Sequence, residues 1–322
     1  MNLANNNKLK LNRMKKLTFL KLALITALTC VIVTSCGKDD GDVTPPGMEE
    51  TGMLLTGVGD YRFYYDDKGR CVEMDYLEGP GSSHITIDWD KSEIRTSEGY
   101  DHPMDAIPIK FKTNGMGYIT VLSQSWDYEL SGESYKGSDK ATLSYDNAGH
   151  LIQASFRSEE TGIKRGESFT SKTESDYTLT WEKDNLVLAK YIADDFHNNK
   201  PEKEEYDYEI SYNRNSNNIY KQWTEGVEYV FDHDIFILCH VGLFGVGTAN
   251  FPTAIHAYGD YEHDYSVSVS TYSSGLISSE KFDGETYVYT YDEVGTRSSA
   301  FENSLPTKAK KRPLRHHRKM WK

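Results

Sequence analysis

The stretch LSYDNAGHLIQASF, Leu143–Phe156, ends an alternating run on an aromatic, steps through Asp146, two spacers and Gly149, and starts a new apolar run at Leu151. FYYDDKGRCVEM (Phe63–Met74) and VYTYDEVGTRSSAF (Val288–Phe301) repeat it. An Asp at the first turn position bonds the backbone ahead of it. A Gly or Asn at the last position takes the left-handed conformation that reverses the chain. The phrase is therefore a hairpin marker. Asp66 with Gly69, Asp146 with Gly149 and Asp292 with Gly295 are expected as turn pairs, and Trp181 to Asn185 repeats the same step with Asn185 in last place. These residues read as scaffold before they read as ligands.

Between the markers the chain alternates. YRFYY (Tyr61–Tyr65), HITIDW (His84–Trp89), YITVL (Tyr118–Leu122), YDYEISY (Tyr206–Tyr212) and YSVSVSTY (Tyr265–Tyr272) have the period of two that half-buried strands require. Tyr, 23 of 322 residues, suits a pleated surface. The expected fold is all-β: an antiparallel hairpin meander of about fourteen strands, curled into an open or closed barrel-like sheet because a flat sheet that wide is unstable. One segment breaks the alternation. DHDIFILCHVGLFGVGTANFPTAIH (Asp232–His256) predicts a short helix over Asp234–Val241 and a loop rich in Gly242, Gly245 and Gly247. This plug, near 234–250, is expected to cap one end of the sheet and to bury Ile235, Leu238 and Leu243.

The N-terminal region carries an address. MKKLTFLKLALITALTCVIVTSC has the layout of a bacterial secretory signal, basic then apolar, with Met14 as the expected true start. Its apolar core, Leu22–Val33, falls short of the ~20 residues that span a bilayer. Small residues lead into Cys36, the pattern read by the lipoprotein signal peptidase. Residues 1–35 are thus assigned to the signal, and Cys36 to lipidation and attachment to the outer membrane. Residues 36–54 form a tether with Pro45 and Pro46, residues 55–304 the β domain, and 305–322 a basic tail. Lys38, Asp39 and Asp40 resemble the acidic export tag of Bacteroidetes lipoproteins, which implies a protein facing the cell exterior.

Six cations precede Cys36 and eight stand in PTKAKKRPLRHHRKMWK, with no acid in either segment, so the net charge of −13 for the whole chain becomes −27 for residues 36–305. An acidic body argues against nucleic acid and anionic lipid as partners. It permits Ca²⁺. Three readings of the tail stand: an electrostatic arm, a disordered terminus, or a frame error replacing a last strand. Cys71 and Cys239 are far apart in sequence and lie in apolar or alternating runs, so buried free thiols are expected rather than a disulfide.

The lipobox, the Tyr-Asp-Gly hairpins and GLFGVGTANFPTAI together resemble a family of Bacteroidetes lipoproteins of unknown function with a porin-like fold. Gly242, Leu243, Gly245, Gly247, Asn250 and Pro252 carry the match. The hairpins also resemble the Tyr-Asp repeats of Rhs-type shells. The resemblance implies a fold and no catalytic residue. A membrane barrel needs an apolar outer band, whereas these strands place Asp, Glu, Lys, Thr and Ser on their second face, so a water-soluble, tethered sheet is expected.

No nucleophile elbow, P-loop or dinucleotide fingerprint is present. Asp232, His233, Asp234 and His240 cluster in sequence, as do His256, His263 and Asp264, without a zinc signature. Glu73 with Asp75, and Asp194 with Asp195, would serve glycoside hydrolysis only at a fixed separation. A non-enzyme without cofactor is expected. Trp89, Trp126, Trp181 and Trp223 are the candidate ligand-binding residues, on a concave aromatic-lined face that takes an extracellular glycan, peptide or lipid. The alternatives are a structural or assembly role in the envelope and, third, a hydrolase. Binding predicts several aromatics exposed together in one groove; a structural role predicts a filled interior and a polar exterior.

Overall fold

Among the described residues, sixteen antiparallel strands follow one another in chain order, and the last pairs with the first to close a barrel. The computed structural model describes residues 52–77, 84–97, 107–197, 200–231, 234–260 and 262–293. The first six strands are short: β1 (Met53–Val58), β2 (Tyr61–Tyr65), β3 (Cys71–Tyr76), β4 (His84–Asp88), β5 (Glu93–Ser97) and β6 (Ile109–Thr113). Six long ones follow: β7 (Ile119–Leu130), β8 (Glu133–Tyr145), β9 (Leu151–Lys164), β10 (Glu167–Glu182), β11 (Asn185–His197) and β12 (Lys200–Tyr212). The circuit ends with β13 (Pro252–Gly259), β14 (His263–Thr271), β15 (Ile277–Phe282) and β16 (Glu285–Glu293). The hairpin meander holds, with sixteen strands where the turn markers suggest about fourteen. One of the added strands hides from the markers. β1 begins at Met53, inside the expected tether, and buries Leu54 and Leu55.

The turn chemistry is that of the repeated phrase. Asp66 Oδ1 accepts from the Lys68 and Arg70 amides, and Asp146 Oδ1 from those of Ala148 and His150. Gly69 and Gly149 follow with φ of 74° and 88°. Two expected turn residues play other parts. Lys183 and Asp184 carry the positive φ of the β10–β11 hairpin, because a two-residue connection needs it at both central positions. Asn185 is instead the first residue of β11, and its side chain exchanges hydrogen bonds with Asn250. Asp292 lies within β16, opposite Leu54, because that strand runs on to close the barrel. Gly295 lies outside the described residues, as do Cys36, Lys38, Asp39, Asp40 and the basic tail.

The connection from β12 to β13 folds into the barrel. It holds a one-turn helix, α1 (Glu225–Glu228), and a 3₁₀ helix over Asp234–Val241. Ile235, Leu238 and Leu243 are buried as expected, with Trp223, Phe231, Phe236 and Phe244. Its backbone is tied to the rim where the even-numbered strands end: Val246 N donates to Gly149 O, Ala249 N to Asp184 O, and Ile119 N to Leu243 O. At Gly245 (φ 87°) an added Cβ would lie 2.4 Å from Gly149 O, so only glycine allows this approach. Cys71 and Cys239 are buried, and no disulfide links them.

The outer face is charged. Lys136–Asp127, Arg157–Asp176, Lys172–Glu174 and Lys190–Asp207 form ion pairs across or along the long strands. Lys or Arg on a lipid-facing strand costs about 2–4 kcal/mol at the bilayer midplane. A wall carrying these four pairs is built for water.

Candidate functional site

The inner face of β7–β11 changes character along the barrel axis. Near the plug, Leu122, Ala141, Phe156, Ser175 and Ala193 form one cross-strand row. One step further out, Gln124, Asp139, Ser158, Thr173 and Asp195 are directly paired on consecutive strands. The next step holds Trp126, Gly137, Glu160, Ser171 and His197. An apolar floor thus gives way to a polar tier. Alternation puts these side chains inside: Asp139, Ala141 and Leu143 are buried while Lys140, Thr142 and Ser144 are exposed.

Polar atoms in this tier are buried without partners. They are Gln124 Oε1, Asp139 Oδ1, Asp195 Oδ1 and, one row below, Ser175 Oγ. Gln124 and Asp139 are only 6% and 3% exposed. The Gln124 amide nitrogen donates to Ile107 O at 2.7 Å, which fixes its oxygen as the free end. Burial pushes the Asp139 carboxyl up to about 7, against a hydrogen bond from Ser158 and with the charge of Glu160 adding to the rise. A buried polar atom left unpaired costs about 1–3 kcal/mol, so four in one patch mark a place prepared for something other than packing.

Trp126 is the one sequence-selected tryptophan in this tier. It is buried, and its indole N–H donates to Glu160 Oε1 at 3.2 Å. A Cβ on Gly137 would meet the Trp126 ring at 2.5 Å, so glycine opens the seat in which the indole lies. The other three stand elsewhere. Trp89 and Trp181 close hairpins at the plug rim and donate to Cys71 O and Leu151 O; Trp223 lies in the plug and donates to Gly245 O. The four do not share a groove. The rings of Trp89, Trp181 and Trp223 serve as core and their N–H groups as ties to the backbone, whereas Trp126 is tied to the Glu160 side chain.

Of the other acid and histidine candidates, Asp195 lies in this tier, Asp232 and His233 lie outside the described residues, and the rest stand elsewhere. Asp194 and Asp195 point to opposite faces of β11. His256 pairs with Asp264 at 2.6 Å. His240 is buried in the plug, 3.7 Å from Glu225. Glu73, Asp75 and His84 do converge, with donor atoms within 4.8 Å of one another on the outer wall. There His84 Nδ1 already bonds Asp75 Oδ1 at 2.7 Å, so a cation would have to displace a surface hydrogen bond. Gln124, Asp139, Ser158 and Thr173 are absent from the sequence candidates. Their signal is a polar residue at the parity of an apolar face, as Asp139 stands two and four residues before Ala141 and Leu143.

Fold and tier together define a closed, plugged antiparallel barrel with a charged outer wall and an acidic inner tier. No family model matches the chain, and no curated protein matches it. Among solved structures it is similar to a porin-like protein from Bacteroides vulgatus, with 13% identity, coverage of 74% of this chain and 99% of that one, and a TM-score of 0.49. It is also similar to a porin-like protein from Bacteroides uniformis, with 10% identity, 65% and 96% coverage, and a TM-score of 0.27. Porin-like is the description that the sequence resemblance carries. The closure of this barrel rests on its own pairing of β1 with β16.

Proposed function

We propose that the chain is a lipoprotein of the cell envelope, held to the outer membrane through Cys36 and facing the exterior, whose barrel takes an extracellular ligand on its inner tier. The observation that supports binding is the row Gln124–Asp139–Ser158–Thr173–Asp195, with its buried, unfilled acceptors. Acceptors that lack donors suit a glycan or peptide rich in O–H or N–H groups better than a lipid tail. A role in binding rather than catalysis fits a site assembled from one continuous sheet face.

A structural role in the envelope is the second reading, and the filled apolar half of the barrel favours it. Thermal denaturation of the full chain against neutral and charged oligosaccharides, mucin peptides, bile acids and Ca²⁺ separates the two. A ligand at 100 times its dissociation constant adds about 2.7 kcal/mol of stability, a visible rise in Tm. A cooperative melt that no member of the panel shifts would overturn the binding reading and leave the structural one.

A further inference from the structure

The charges on the two faces of β7–β11 are sorted. Lys136, Lys140, Arg157, Lys172 and Lys190 all stand on the outer face, where four of them pair with Asp or Glu. The inner tier has Asp139, Glu160 and Asp195 and, among the described side chains, no ion pair to any of them. The basic groups that share its parity, Lys164 and His197, are exposed at strand tips. The tier is therefore an excess of acceptors and of negative charge.

The spacing adds shape. Asp139 on β8 and Asp195 on β11 belong to one cross-strand row, three strand intervals apart. At about 4.8 Å per interval that is about 14 Å along the sheet. Ser158 and Thr173 stand between them, and each hydroxyl can donate or accept. Gln124 Oε1 extends the row past Asp139. One ammonium cannot reach both acids. A chain with a cation at each end can, and an extended peptide covers that distance in about four residues.

We propose that the tier binds an elongated dicationic chain, a polyamine or a peptide with two separated basic groups, with one cation at Asp139 and the other at Asp195. This rests on the binding function proposed above and narrows its ligand class. Glu160, one row out, supplies the charge that draws the chain in. Trp126, held over Gly137 by Glu160, offers a ring face to the cation at the Asp139 end. The apolar row beneath sets the depth at which the chain stops.

Calorimetric titration of the full chain tests this with 1,8-diaminooctane, the capped peptide acetyl-Lys-Gly-Gly-Lys-amide, maltotriose as a neutral polyol and trigalacturonate as an anion. The diamine or the peptide binds, and affinity falls as salt rises. Asp195→Asn and Asp139→Asn each weaken binding at least tenfold, with melting curves confirming that both variants fold. Asp194→Asn removes the same charge from the outer face of the same strand and leaves binding unchanged. Which of the two dications binds more tightly identifies the source of the chain. Equal weakening by Asp194→Asn and Asp195→Asn would reveal adsorption to an acidic surface and overturn the proposal. Binding of maltotriose alone would overturn the dication and leave the binding function standing. If no probe binds here and no ligand in the thermal panel shifts Tm, both fall.

Discussion

Glu280 is a carboxyl with no exposure, set into the wall on β15. It accepts from the Glu225 and Gly226 amides at 2.6 and 2.9 Å and from the Tyr289 hydroxyl at 3.0 Å, and so ties the plug to the wall. Burial nonetheless pushes it up from 4.5 to about 7, with the charge of Glu225 adding to the rise. An acid whose folded value is raised stabilises the fold fully below its unfolded value, and that contribution is lost as pH climbs through the folded one. Asp139 behaves alike, rising from 3.8 to about 7. Each group then withdraws of order 3 kcal/mol between about pH 4 and 7. Tm is expected to fall from pH 5 to pH 8. Asp139→Asn and Glu280→Gln should each flatten that slope, with Glu280→Gln also lowering Tm throughout because an amide nitrogen would face a backbone donor. Slopes identical to wild type in both variants would contradict this account. At this scale the sequence is partly legible. The turn acids Asp66 and Asp146 announce themselves through their neighbours, two and three residues away. Glu280 does not, because what makes it special is a helix that begins 55 residues earlier.

The hairpin is the element in which the sequence speaks most plainly, and it repeats more than its turn. Tyr65, Trp89, Tyr145, Trp181 and Tyr212 each stand where an even-numbered strand ends. Each donates to a backbone carbonyl on the preceding strand: Leu55 O, Cys71 O, Ile119 O, Leu151 O and Leu186 O, at 2.6–2.8 Å. The aromatic before the turn is thus a brace as well as a cross-strand packing partner, and either a phenol or an indole fills the role because each offers one donor on a rigid ring. Tyr145→Phe keeps the ring and removes the donor. It should cost about 1 kcal/mol, the net worth of one such hydrogen bond, and urea denaturation should show a lower midpoint at unchanged slope. An unaltered midpoint would reduce the brace to packing. Period two and turn chemistry are local, so the hairpins can be read from a few residues at a time. Whether the sheet closes depends on Leu54 meeting Asp292 across the whole chain, which no local pattern encodes. The tryptophans mislead for a related reason. Sequence records that a ring is large and flat, and tertiary structure decides whether it faces a ligand or a carbonyl.

On the whole molecule, the charged wall and the lipid assignment make one joint expectation. A barrel with Lys136, Arg157, Lys172 and Lys190 outside gains nothing from a bilayer, so its membrane attachment should rest on Cys36 alone. Cys36→Ser should move the protein from the detergent-extracted membrane fraction to the aqueous one with its Tm intact. Retention in the membrane would mean that the wall or another segment binds lipid. Closure carries a consequence in time as well as in space. The plug lies between β12 and β13, and β16 completes the wall beside β1. On the export proposed above, a chain emerging from its N-terminus would present β1 first, with that edge unpaired until residues 285–293 emerge. The first twelve strands can form as a curling ribbon, and the plug and the last four strands follow them in chain order. Folding should therefore be slow, as long-range pairings generally are. Loss of the final strand would leave two open edges, at β1 and β15, and take the Tyr289 hydroxyl from the Glu280 tie between plug and wall.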